Sequence, residues 1–301
     1  MLPVLKGVFK YAVMGKVSMN GLLVFATVVK LLALFLVYQF LFLMAGRIGG
    51  FLCYNIFVES VAYSVFEKAV APPMSSYAVT GTAVGMLLSS LVMIAHLVFF
   101  KYVRIRKGFF REVKCSVLLL SVLFIFAMMV VFNIAAEWLG LENLTQHDVE
   151  LLLKSTPGVL SMAFAAPLLE ELLFRGAIQG MFMRIFNRPW VAIVLSAAIF
   201  GIIHLNPVQV FYATCLGVGF GWVYYRTGSL LPAVVGHVMN NFLAVVSGLI
   251  WGMDGELEVP ADTGGEIACV IFFATAALFI ARIMDHWLPS VPSPWREAGD
   301  K

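Results

Sequence analysis

Charge is scarce in this chain. Only 12% of its 301 residues are Asp, Glu, Lys or Arg, while 61% are hydrophobic. A soluble domain of this size needs a far more polar surface, so a water-soluble fold is excluded and the bilayer is the second solvent available. The net charge of +3 is too small to imply a nucleic-acid partner. Cysteine is thin as well. Cys53, Cys115, Cys215 and Cys269 stand far apart and none forms a C-x-x-C, which excludes a zinc ribbon or a thioredoxin-type motif. There is no H-E-x-x-H, and Asp148, Asp254 and Asp262 all fall between apolar runs rather than within them.

What is abundant is apolar sequence, with 26 Phe in it. Windows of about 20 apolar residues predict an all-α polytopic transmembrane bundle of about eight spans. They fall near 21–46, 77–100, 115–140, 158–186, 190–205, 207–225, 230–251 and 267–284. The stretch 50–70 carries Glu59, Glu67 and Lys68 in an amphipathic pattern and predicts a helix lying in the interface. One membrane domain fills 1–301: supporting spans in 1–157, a core in 158–251, and a last span and tail in 252–301. Loop charge sets an orientation. Lys101, Arg104, Arg106, Lys107, Arg111 and Lys114 crowd one loop, whereas Asp254, Glu256, Glu258, Asp262 and Glu266 fill another. Basic loops stay in the cytoplasm, so the chain is expected in the cell membrane as a multi-pass protein with both termini cytoplasmic.

Ionisable groups at membrane depth are costly and mark function by default. The fourth span, A-A-P-L-L-E-E-L-L-F-R-G-A-I-Q-G, holds Glu170, Glu171 and Arg175. Glu171 and Arg175 are four apart and can pair. Glu170 lies about 100° round the helix, without that cation, and is free to exchange a proton. Pro167 is expected to kink the helix. His204 ends the fifth span, and His237 and Asn241 share a face of the seventh. Singly, each has a packing explanation: an interhelical hydrogen bond, an ion pair, or helix glue. His96, with no polar partner evident in sequence, is read that way, and the run Gly217, Gly219, Gly221 is read as helix packing. Together, two acids, two imidazoles and an amide within about 75 residues are hard to explain as packing.

A carboxylate and an imidazole can hold and deprotonate one water, and a second imidazole with an amide can donate to an oxyanion. Those are the parts for amide hydrolysis, with no cofactor required. Glu170, His204 and His237 are also eligible ligands for zinc with an open fourth position. No aspartate or further glutamate adjoins either His in sequence to orient it, which favours the version without metal.

Three motifs give the chain a resemblance. E-E-x-x-x-R is Glu170–Arg175, F-x-x-x-H is Phe200–His204, H-x-x-x-N is His237–Asn241, and the linking T-G-S-L runs from Thr227 with Pro232 after it. In order and spacing this resembles the CAAX prenyl-protease and bacteriocin-processing (CPBP or Abi, Rce-like) family of intramembrane peptidases, over about 160–245. The resemblance implies that Glu170 and His204 activate water, that His237 and Asn241 form the oxyanion site, and that Glu171 and Arg175 hold the first glutamate's helix. It implies a peptide or protein tail as substrate, with a lipid on it in the eukaryotic branch, and membrane lipids as surroundings. Counting from Ser229, His237 lies ~12 Å deep, so a cavity open to the cytoplasm is expected. A transporter relay, or a non-catalytic immunity or scaffold protein, would also place polar groups in the membrane. The polar residues cluster instead of lining a path, and the motifs are intact.

Overall fold

The computed structural model describes residues 21–56, 74–103, 113–186, 188–252 and 263–288. Among them there are helices and turns and no strand. In chain order the helices are α1 (Gly21–Tyr54), α2 (Met74–Phe99), α3 (Cys115–Trp138), α4 (Gln146–Leu153), α5 (Thr156–Ile185), α6 (Pro189–Ile202), α7 (Pro207–Thr227), α8 (Leu231–Trp251) and α9 (Thr263–Trp287). All eight spans expected from sequence exist as helices. Six of them, α1, α2, α3, α5, α8 and α9, are long and apolar enough to cross a bilayer. The fold is therefore an all-helical, multi-pass membrane bundle. Helix α6 has only 14 residues, and α7 has 21 but carries more polar sequence. One boundary differs from expectation. Helix α1 continues through Tyr54, past the expected end near 46, so no separate interfacial helix begins at 50. Phe51 and Leu52, both exposed, extend the lipid-facing stripe instead of starting an amphipathic one. The remainder of the expected interfacial helix, 57–70, lies outside the described residues.

Sequence dictates the helix ends. Pro189, Pro207 and Pro232 stand in the first turns of α6, α7 and α8, where a missing N–H costs nothing. Ser155 caps α5 by accepting from the Gly158 amide at 3.2 Å. Gly228, at φ +65°, closes α7 in the left-handed conformation and donates to the Tyr224 carbonyl at 3.0 Å. The neighbouring Thr227 hydroxyl accepts from the Ser229 amide at 3.2 Å. The T-G-S-L segment is thus a rigid turn that sets where α8, and with it His237, enters the bundle.

The outer surface is apolar. Leu22, Phe25 and Phe40 on α1 and Phe272, Leu278 and Phe279 on α9 are largely exposed, as lipid-facing side chains should be. Inside, α1 and α2 approach so closely that a Cβ at Gly46 would collide with the Gly81 carbonyl. A first core joins Val24, Leu31, Met93 and Leu97 of that hairpin to Phe174 and Ile178 of α5. A second joins Ile125 of α3 to Phe220 and Val223 of α7 and Met284 of α9. His96 is not partnerless. The Tyr38 hydroxyl meets its Nδ1 at 3.0 Å across the α1–α2 hairpin.

The two ends of the bundle differ. At one, Asn206 donates to Asn143 and Thr145, each at 2.9 Å, and Trp138 donates to Glu266 at 2.7 Å. At the other, Arg226 pairs with Asp285 at 2.7 Å.

Candidate active site

Helix α5 is not uniformly wound. Ser161–Ala165 and Glu171–Gln179 are π-helical, and Pro167 opens the short α segment between them. The expected kink is thus a change of winding, of the kind that gathers at functional sites. The π segment keeps Glu171, Arg175 and Gln179 on one side, all fully buried. They face α7, whose glycines make room. Arg175 Nη2 donates to the Gly217 carbonyl at 3.3 Å and Gln179 Nε2 to the Gly221 carbonyl at 2.9 Å. A Cβ on Gly221 would lie 2.6 Å from Gln179 Oε1. These glycines serve packing, as expected.

The predicted pair is present: Arg175 Nη1 lies 2.9 Å from Glu171 Oε1. The guanidinium sits between two rings, 4.4 Å from the Phe200 centroid and 5.2 Å from that of Phe220, a planar cation held by stacking as well as charge. The same Glu171 oxygen accepts from His237 Nδ1 at 2.8 Å. A carboxylate therefore does orient a histidine here, contrary to the inference from sequence neighbours. It arrives from another helix, 66 residues away. His237 is further fixed by stacking on Phe220 at 4.7 Å and by the edge of Phe200 at 5.7 Å.

With Nδ1 committed, His237 turns Nε2 toward Glu170, 3.6 Å from its Oε2. That is too long for a direct hydrogen bond, and one water could bridge the two. Glu170 is thus close to an imidazole, while the arginine's ion pair is with Glu171, as their positions on the helix predicted. The imidazole that reaches it is His237. His204 approaches from the end of α6. Its Nδ1 lies 2.8 Å from the Phe200 carbonyl, which can only accept, so Nδ1 carries a hydrogen and Nε2 is the nitrogen not engaged there. Asn241 Nδ2 donates to the Met162 carbonyl in the first π segment at 3.0 Å, which leaves its second N–H.

Glu170, His204, His237 and Asn241 line one cavity of about 240 Å³, with room for several waters. Glu171 and Arg175 lie behind it. Sequence reasoning missed several members. Asn240 Nδ2 donates to Asn241 Oδ1 at 3.0 Å, and Tyr212 donates to Asn240 Oδ1 at 2.7 Å. Asn240 adjoins a motif residue and could have been found, but Tyr212 is one tyrosine among nine with no local signal. Phe200 was legible only as a motif letter, yet it touches Arg175, His204 and His237.

The cavity lining reaches Asn143, Thr145 and Gln209, at the end of the bundle opposite Lys101 and Lys114. Toward the basic end, Phe174, Ile178, Phe220 and Val223 are almost wholly buried. Among the described residues no three His, Cys, Asp or Glu are grouped closely enough to share an ion.

Fold and site together define a polytopic helical membrane protein with a buried acid–imidazole cluster. Within it, residues 153–243 match the family described as type II CAAX prenyl endopeptidase Rce1-like, in agreement with the three motifs. Two Bacillus subtilis (strain 168) proteins are similar. One, named "Putative membrane peptidase YdiL", is 30% identical over 88 residues, covering 29% of this chain and 36% of that protein. The other, named "Uncharacterized protein YyaK", is 34% identical over 80 residues, covering 24% of this chain and 27% of that one. The matched stretch thus spans about a third of the length of these relatives. No solved structure matches.

Proposed function

We propose that this protein is an intramembrane endopeptidase of CAAX-protease type, hydrolysing a peptide bond with a water activated by Glu170 and the cavity histidines. The observation that carries the reading is the shared cavity: a carboxylate outside the Glu171–Arg175 pair, two imidazoles and an amide face one space, backed by that buried ion pair. The Rce1-like match over 153–243 supports the same class. All the proposed catalytic groups fall in 158–251, and the other spans serve as support.

In this mechanism Glu170 takes a proton from a water held toward His204 Nε2 as the water oxygen bonds to the scissile carbonyl carbon. The oxyanion accepts from Asn241 Nδ2 and from His237 Nε2–H, the ring being held at Nδ1 by Glu171. When the C–N bond breaks, Glu170 returns its proton to the leaving amine. No step requires a metal. Cation transport is less well supported, since the buried wall of Phe174, Ile178, Phe220 and Val223 stops the cavity short of the basic end.

Reconstituted protein should cut members of a quenched fluorescent peptide library that includes prenylated C-termini, and should go on cutting in excess chelator. Ion flux with no peptide cut would replace this reading with transport, and loss in chelator restored by zinc would make the enzyme metal-dependent. Asn241→Ala should slow cleavage by about 10²–10³, the usual effect of one oxyanion donor. An unchanged rate would remove Asn241 from the oxyanion site.

A further inference from the structure

We propose that the cavity opens on the extracytoplasmic face of the membrane and takes a basic peptide segment presented there. This deepens the peptidase reading and rests on it only for the cleavage step, not for binding.

The first observation is where the cavity is walled and where it is not. Glu170 and His237 sit at its inner end. Going from them toward the basic end, the fully buried Glu171, Arg175 and Gln179 are clamped to α7 backbone, with Phe174 and Ile178 packed beside them. Going the other way, the wall passes to Tyr212, then to Gln209, Thr145 and the exposed Asn143. Hydrogen bonds from Asn206 to Asn143 and Thr145 tie the α3–α4 connection to the α6–α7 turn, so this rim is built from two fixed loops.

The second observation is independent of the first. Lys101, Lys114, Arg184, Arg188 and Arg226 lie at the sealed end. At the rim end stand Glu142, Asp148, Glu150 and Glu266 against Lys154. An excess of Lys and Arg in short connections fixes the cytoplasmic side. The sealed end is therefore cytoplasmic, and the rim faces outward. A polar cavity at low dielectric beneath an acidic rim concentrates cations, and among the described residues no Lys or Arg lines it. The segment it admits carries Lys or Arg near the bond to be cut.

Two measurements test this. With Cys53, Cys115, Cys215 and Cys269 replaced by serine, Glu142→Cys, Gln209→Cys and Arg188→Cys proteins are treated in intact cells with a membrane-impermeant maleimide. Labelling of Glu142→Cys and Gln209→Cys, with Arg188→Cys reacting only after permeabilisation, is the expected result. The reverse pattern overturns the orientation, and a silent Gln209→Cys beside a reactive Glu142→Cys overturns the open rim. In the second, fluorescein-labelled lysine-rich, neutral and glutamate-rich peptides are titrated onto reconstituted protein. The lysine-rich peptide should bind about tenfold tighter at low salt than at 0.5 M, where screening shortens to a few Å. It should also weaken at least about threefold on Asp148→Asn/Glu150→Gln. Equal binding of all three peptides overturns the charge preference. Tight binding of the basic peptide without cleavage leaves this inference standing and removes the peptidase reading.

Discussion

The Glu170→Gln protein should retain its fold, its thermal transition and its peptide binding, while cleavage falls by about 10²–10⁴, the worth of a positioned general base. The substitution is nearly isosteric. The Glu170 side chain is 17% exposed at the cavity wall and its nearest imidazole nitrogen is 3.6 Å away, so the change orphans no buried partner. What it removes is an oxygen able to take a proton from water and give it back to an amine. Cleavage at the wild-type rate would rule out the mechanism, and a lowered melting temperature would show that Glu170 holds the bundle together instead.

Arg175→Ala should do the opposite. Arg175 is fully buried, and its charge answers that of Glu171, which is fully buried too. Removing it leaves the carboxylate with His237 alone and empties the space between the Phe200 and Phe220 rings. The expected loss is about 3–5 kcal/mol of stability, as for other broken buried pairs. Activity should fall with it, because the Glu171 oxygen that meets Arg175 also orients His237. Arg175→Lys should recover part of the stability, since it restores charge without the planar fork. A purified Arg175→Ala protein that melts like the wild type would refute this account of the pair.

Helix existence was legible because hydropathy is local. Every apolar run became a helix, and proline and Gly228 marked their ends. The motif residues were legible because spacing along a helix is also local, so Glu171 and Arg175 could be paired from sequence alone. What spans the bundle was not legible. The bond from Glu171 to His237 depends on the rotation of α5 against α8, which no periodicity encodes, and the π windings of α5 shift that rotation further. The same holds for Tyr38 with His96 and for Tyr212 with Asn240. The side on which the cavity opens depends on which side chains fill the space beyond the cluster. There Phe174 and Ile178 look like any other apolar letters in the sequence.

The brevity of α6 has a consequence for the surrounding lipid. Fourteen residues rise only ~21 Å, against a hydrocarbon thickness of ~30 Å. Its exposed Trp190, next to Arg188, anchors the helix start at one interface, so the shortfall accumulates at the other, where His204 stands just past the helix end. Val191, Val194, Leu195 and Ile202 offer lipid a short apolar strip, and acyl chains must shorten or tilt to match it, at fractions of a kcal/mol per Å. The bilayer should then dimple beside the site, bringing water nearer to Glu170 than the full membrane depth would allow. Turnover should accordingly rise in bilayers of shorter acyl chains and fall in thicker ones, and a rate independent of chain length would mean that the lipid does not thin there.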